Sequence, residues 1–150
     1  MAGDVTIRGD VLLPDKDIAE QLEVESASVC SPGSVMVIGD AGSLVPCSRR
    51  YDKRVVGVIS GSGTLRRAIT LGASGDPAPS AKIALVGTAY CNVDADLAPI
   101  EIGDLITTSD SGGHGMKAAD PSSSFGAIIG KALVSLSQGR GMVPILLALQ

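Results

Sequence analysis

The chain has one histidine, His114, so any serine–histidine or cysteine–histidine nucleophile system in it must use that side chain. His114 closes the turn Ser109-Asp110-Ser111-Gly112-Gly113-His114, which makes Ser109 and His114 the candidate catalytic pair. A catalytic base also needs an orienting partner and a site that excludes water, and one crowded turn rarely supplies all of these. A structural turn is therefore the expectation, with no catalytic residue assigned. Asp94, Asp96, Glu101 and Asp104 are close enough in sequence to suggest weak calcium binding. Their spacing departs from the EF-hand loop, and a solvated acidic rim is expected instead. Cys30, Cys47 and Cys91 are widely separated and form no C-x-x-C pair. They suggest neither a zinc set nor a disulfide framework, so buried free thiols, no metal and no cofactor are expected.

Two segments could hold an anion. In Gly61-Ser62-Gly63-Thr64-Leu65-Arg66-Arg67 the backbone amides and two arginines could cradle a phosphate, but neither a helix start nor a P-loop lysine follows. A plain hairpin loop is the better reading. Arg49, Arg50, Lys53 and Arg54 form the one basic cluster, which reads as a solvated loop with Asp52 in its middle. A net charge of −4 at pH 7 argues against nucleic acid as a partner, because phosphate neutralisation needs a clustered basic surface.

These side chains must be positioned by a framework of unusual composition. Of 150 residues, 45% are hydrophobic, yet the aromatics are only Phe125, Tyr51 and Tyr90. The core must be built from Val, Ile, Leu, Ala and Met, and it has less apolar surface to hide per residue than an aromatic-rich core. Burial against other copies of the chain would add to it. Nineteen glycines and eight prolines, spread along the chain, fit many short strands joined by tight turns. The expected fold is all-β, a compact barrel or sandwich of short strands with an extended N-terminal β arm.

The arm rests on a short repeat, Gly3-Asp4-Val5-Thr6-Ile7-Arg8 followed by Gly9-Asp10-Val11-Leu12-Leu13-Pro14. Period-two alternation places Val5, Ile7, Val11 and Leu13 on one face. Two units are too few for a self-sufficient solenoid, so this stripe is the expected oligomer interface. Residues 1–20 are read as the assembly arm and 21–150 as a single all-β domain.

Asp15 to Glu20 could make one helical turn. Strands are expected from Leu22 to near Val29, over Ser34–Ile38, at Leu44-Val45, and over Arg54–Ser60, Ala68–Leu71 and Lys82–Val93. Further strands are expected over Asp104–Ser109, Gly115–Ala118, Gly126–Leu136 and Met142–Leu149. Gly39-Asp40-Ala41-Gly42 reads as a hairpin turn, Gly72 to Ser80 as an exposed loop, Gly87 as a bulge or bend, and Gln138 to Gly141 as a turn. Gly126 to Leu136 also fits a helical face, but Gly126 and Gly130 favour a strand. The N-terminus shows no secretory signal, and no apolar run is long enough to span a bilayer. Synthesis in the cytoplasm without a signal peptide follows, with a released or virion-like particle as a consistent destination.

The stretches Tyr51-Asp52-Lys53-Arg54-Val55-Val56-Gly57-Val58-Ile59-Ser60, Ile83-Ala84-Leu85-Val86-Gly87, Gly103-Asp104-Leu105-Ile106-Thr107-Thr108-Ser109 and Gly126-Ala127-Ile128-Ile129-Gly130-Lys131-Ala132-Leu133 occur in the order of a widespread bacterial β-module. That module ends longer fibre-like or repeat-bearing chains. More distantly, the same order resembles the autoproteolytic intramolecular-chaperone domain of phage neck appendage proteins. The resemblance implies trimer-type assembly. Its cleavage junction and catalytic residues have no matching positions in this chain.

Together these readings predict a structural self-assembly module of a phage-tail-like, fibre or other particle, associating as a homo-oligomer of three chains or a multiple of three. The alternatives are a self-processing chaperone peptidase domain and a small-ligand or glycan-binding β-domain. The last would stack sugars on exposed aromatics, which the sequence barely contains.

Overall fold

The computed structural model describes residues 6–10, 17–26, 31–61, 69–71 and 78–148. In chain order the elements are β1 (Asp17–Glu23), β2 (Val35–Ile38), β3 (Leu44–Pro46), β4 (Val55–Ile59), β5 (Ile69–Leu71), β6 (Ser80–Asp94), β7 (Leu105–Thr108), β8 (Gly115–Lys117), α1 (Pro121–Ser124), β9 (Ile128–Ala132) and β10 (Arg140–Leu147). The fold is all-β. No helix among the described residues is long and apolar enough to cross a membrane.

All ten strands belong to one sheet, and part of it closes on itself. β10 pairs β9, β9 pairs β7, and β7 pairs β8, all antiparallel. β8 meets β6 in a short parallel step at Val93 and Gly115. β6 pairs back to β10 over Arg140 to Leu147. The result is a five-stranded barrel, which settles the barrel-or-sandwich alternative. A barrel of so few strands encloses little volume, and the interior contains small and aliphatic side chains: Ala89, Cys91, Val93, Ile106, Ile129, Ala132, Val143 and Ile145. A second apolar cluster of Val24, Met36, Leu44, Ile59 and Ile83 lies outside the barrel. No aromatic enters either core; Phe125 is 86% exposed.

β6 is the hub. Its first half pairs β1, from Ser80↔Glu23 to Gly87↔Asp17, and its second half pairs β10, from Gly87↔Leu147 to Asp94↔Arg140. Gly87, the expected bend, has φ of 103°. L side chains rarely adopt that conformation, so glycine permits the strand to change partners there. β2 and β3 form the expected hairpin around Gly39–Gly42, and β4 joins it to β6.

Two expectations are corrected, and one element was not expected. The proposed helical turn within Asp15–Glu20 is strand from Asp17 onward. Its polar residues are matched to β6 and β5 ladders, which supply more backbone hydrogen bonds than one isolated turn. The turn expected at Gln138–Gly141 is shorter, because Arg140 and Gly141 already pair with Asp94 and Val93. Sequence reading also missed α1. Its signal was present: Asp120 caps the helix by accepting from Ser122 N, with Pro121 in the first turn. Cys47 and Cys91 are buried free thiols, and burial raises both above the usual thiol range. Cys30 lies outside the described residues.

Candidate functional site

The Ser109–His114 turn joins β7 to β8, and consecutive buried hydroxyls of β7 hold the adjoining loops. Thr107 Oγ1 donates to Ala127 O at 2.7 Å, and Thr108 Oγ1 accepts from Asp52 N at 2.7 Å. Ser109 Oγ donates to His114 O at 2.7 Å and accepts from Ser111 N at 3.1 Å. The hydroxyl of the candidate nucleophile therefore faces main-chain atoms and is fully buried. The His114 ring lies elsewhere, with Nδ1 2.8 Å from Gly112 O. Ser109 and His114 are brought together through backbone, not through hydroxyl and imidazole. We predict that Ser109→Ala and His114→Ala both leave the chain at its full length. Ser109→Ala lowers stability by about 1–3 kcal/mol, because buried backbone groups lose their partner. Intact-mass spectrometry and thermal melts check both statements; a wild type in two fragments beside an intact Ser109→Ala chain would establish self-processing.

Three of the acidic residues considered for calcium, Asp94, Asp96 and Asp104, are engaged with different partners. Asp94 is buried, accepts from Ser111 Oγ at 2.6 Å and from Arg140 Nε at 3.0 Å. The Ser111 hydroxyl, then Arg140 and the Asp96 amide, hold its carboxyl below the usual range against the opposing effect of burial. Asp96 accepts from Gly139 N, and Asp104 accepts from Glu101 N while pairing with Lys117 Nζ at 2.9 Å. Among the described residues no group of His, Cys, Asp and Glu is arranged to hold a metal ion.

The basic side chains are exposed, as a solvated loop requires, and the loop is pinned from within. Asp52 is buried. Its Oδ1 accepts from Arg54 N at 3.0 Å, and its Oδ2 accepts from Arg49 Nη2 at 3.2 Å and Arg54 Nη2 at 3.3 Å. Burial alone would raise this carboxyl, but the Arg54 and Arg49 hydrogen bonds outweigh it and hold it low. Arg50 pairs with Asp110 and Arg54 also with Asp40. Tyr51 occupies left-handed backbone at φ 53° and accepts from Asp120 N through its hydroxyl. Residues 62–67 of the other anion candidate, and 72–77 of the expected loop, lie outside the described residues.

The surface with a clear chemical character is the barrel's outer side over β7, β9 and β10. Cross-strand register places Leu105 beside Lys131 and Lys131 beside Leu146. Leu146 in turn neighbours Thr88, and Pro144 neighbours Tyr90. Leu133 reaches this row through its amide, which donates to Pro144 O. Leu105, Met142 and Leu146 on these strands are exposed, and so are Ile102, Leu133 and Val134 in the segments just before β7 and just after β9. Leu105, Ile128, Lys131, Leu146 and Ala148 line a shallow apolar hollow there. The sequence carried a signal for this face. Met142 to Leu147 is apolar at nearly every position, whereas a strand with one solvated face alternates. Of the residues assigned to the oligomer stripe, Ile7 is described and exposed, while Val5, Val11 and Leu13 lie outside the described residues.

No protein-family model matches the chain, and no curated protein matches it. Among solved structures, it is similar to the head fiber gp8.5 N base of bacteriophage phi29, with a TM-score of 0.42 and 12% identity over 89% of this chain and 90% of that one. A likeness of this degree leaves function to the chain's own surface.

Proposed function

We propose that this chain is a structural, non-enzymatic self-assembly module of a larger particle, of the phage-tail-like or fibre kind, that associates as a homo-oligomer of three chains or a multiple of three. The observation that carries it is the exposed apolar face over β7, β9 and β10. Contiguous apolar surface of this kind marks an interaction site, whereas single exposed hydrophobics need no explanation. Covering a Leu, Ile, Val or Met side chain fully is worth roughly 1.5–3 kcal/mol, so several covered together can outweigh part of the cost of association. The aliphatic core supports the same reading, since the molecule lacks the aromatic burial that would make it self-sufficient.

The N-terminal arm, residues 1–20, contributes Val5, Ile7, Val11 and Leu13 to the same assembly, while residues 21–150 form the body. Light scattering on the full chain at micromolar concentration is expected to give the mass of three chains or a multiple of three. A monomer overturns the proposal. Deleting residues 1–14 is expected to weaken the assembly with the strand signal in circular dichroism retained; undiminished association removes the arm from it.

A further inference from the structure

Lys131 lies on the outer face with Leu105 beside it on β7 and Leu146 on β10, whereas Arg140 at the start of β10 is already paired with Asp94. Lys131 enters no ion pair among the described residues. An ammonium surrounded by leucines disfavours covering by a purely apolar partner, because it would lose water without gaining a counter-charge. The same chain carries a surface of matching character on β1. There Glu20 lies opposite Leu71 of β5, and Ile18 lies opposite Val86 of β6. Leu71 and Val86 are more than half exposed, and Glu20 likewise enters no ion pair among the described residues. One surface sets a cation between two leucines; the other sets an anion beside an exposed leucine.

Within one chain these charges are far apart. Across β10 Lys131 is level with Leu146 and Thr88, whereas Glu20 faces Ile83, beyond the change of partner at Gly87. Between copies they can meet. We propose that the β7–β9–β10 face docks on a second copy of this chain, with Lys131 of one copy against Glu20 of the next, beside Leu71. This rests on the self-assembly reading and specifies its contact.

The test uses the full chain and sedimentation velocity across a concentration series, with circular dichroism to confirm folding. Lys131→Glu and Glu20→Lys each put like charges in contact and are expected to weaken association at least about tenfold. The double variant, with the charges exchanged, is expected to recover to within about threefold of wild type. Leu146→Ala, without charge exchange, is expected to weaken it and to show no rescue by Glu20→Lys, which leaves like charges against Lys131. If wild type assembles and both single charge variants assemble as tightly, the docking face is wrong while self-assembly stands. If the singles weaken but the double variant does not recover, the Lys131–Glu20 contact is overturned. A monomeric wild type overturns both.

Discussion

Replacing Gly130 by alanine is expected to lower the melting temperature by roughly 6–12 °C, equivalent to about 3 kcal/mol for a chain of this size. Gly130 sits in the middle of β9, paired to Ile106 of β7 on one side and to Leu147 of β10 on the other. A Cβ there would collide with the Leu146 carbonyl oxygen and stand 3.1 Å from Leu147 Cα. These are backbone atoms held by the ladder that closes the barrel, so relief requires separating β9 from β10. A flexible side chain could have moved aside. Gly112→Ala is the control, because its added Cβ meets nothing within 4 Å, and its effect is expected to stay within about 0.5 kcal/mol. Equal melting temperatures for Gly130→Ala and wild type would show that the β9–β10 wall is looser than described.

Asp52→Asn is expected to cost about 2–4 kcal/mol at neutral pH, and the deficit is expected to shrink as pH falls. The carboxylate accepts from Arg49, from the Arg54 side chain and from the Arg54 amide, all from a position almost without solvent. An asparagine of the same shape loses the charge and points an N–H₂ group at donors. The pH dependence follows from the direction of the shift. The folded pKa lies below the ordinary value, which is about 3.9 for an unfolded aspartate. The stabilisation is therefore complete above that value and is lost as pH falls through the folded pKa. Asp94 is shifted the same way by Ser111 and Arg140. Wild-type stability should thus change little from about pH 7 to 5 and fall steeply below about pH 4, while Asp52→Asn falls less. Parallel wild-type and variant curves across that range, measured by thermal melts, would contradict the role given to Asp52.

Local sequence determined a good part of the molecule. Runs such as Val35–Ile38, Val55–Ile59 and Ile128–Ala132, bounded by glycine turns, dictated strands because β-branched residues pack well on a pleated surface. Near-absence of aromatics dictated an aliphatic core, and Gly39–Gly42 announced its hairpin. The closing contacts were decided by tertiary structure alone. β6 meets β10 some fifty residues later in the chain and β1 some sixty earlier, and periodicity within a strand contains no term for a neighbour so far away. Burial of charge was equally hidden. Asp52 and Asp94 look like loop acids beside many others, and they become buried anchors only because Thr108, Ser111 and Arg140 arrive from distant segments. The Asp17–Glu23 strand was obscured for the same reason: its polar residues favour no strand by themselves, and the β6 ladder imposes one. The outer apolar face lies between these cases. Met142–Leu147 announced a strand with two apolar sides, but only the closed barrel shows which side holds the core and which is left uncovered.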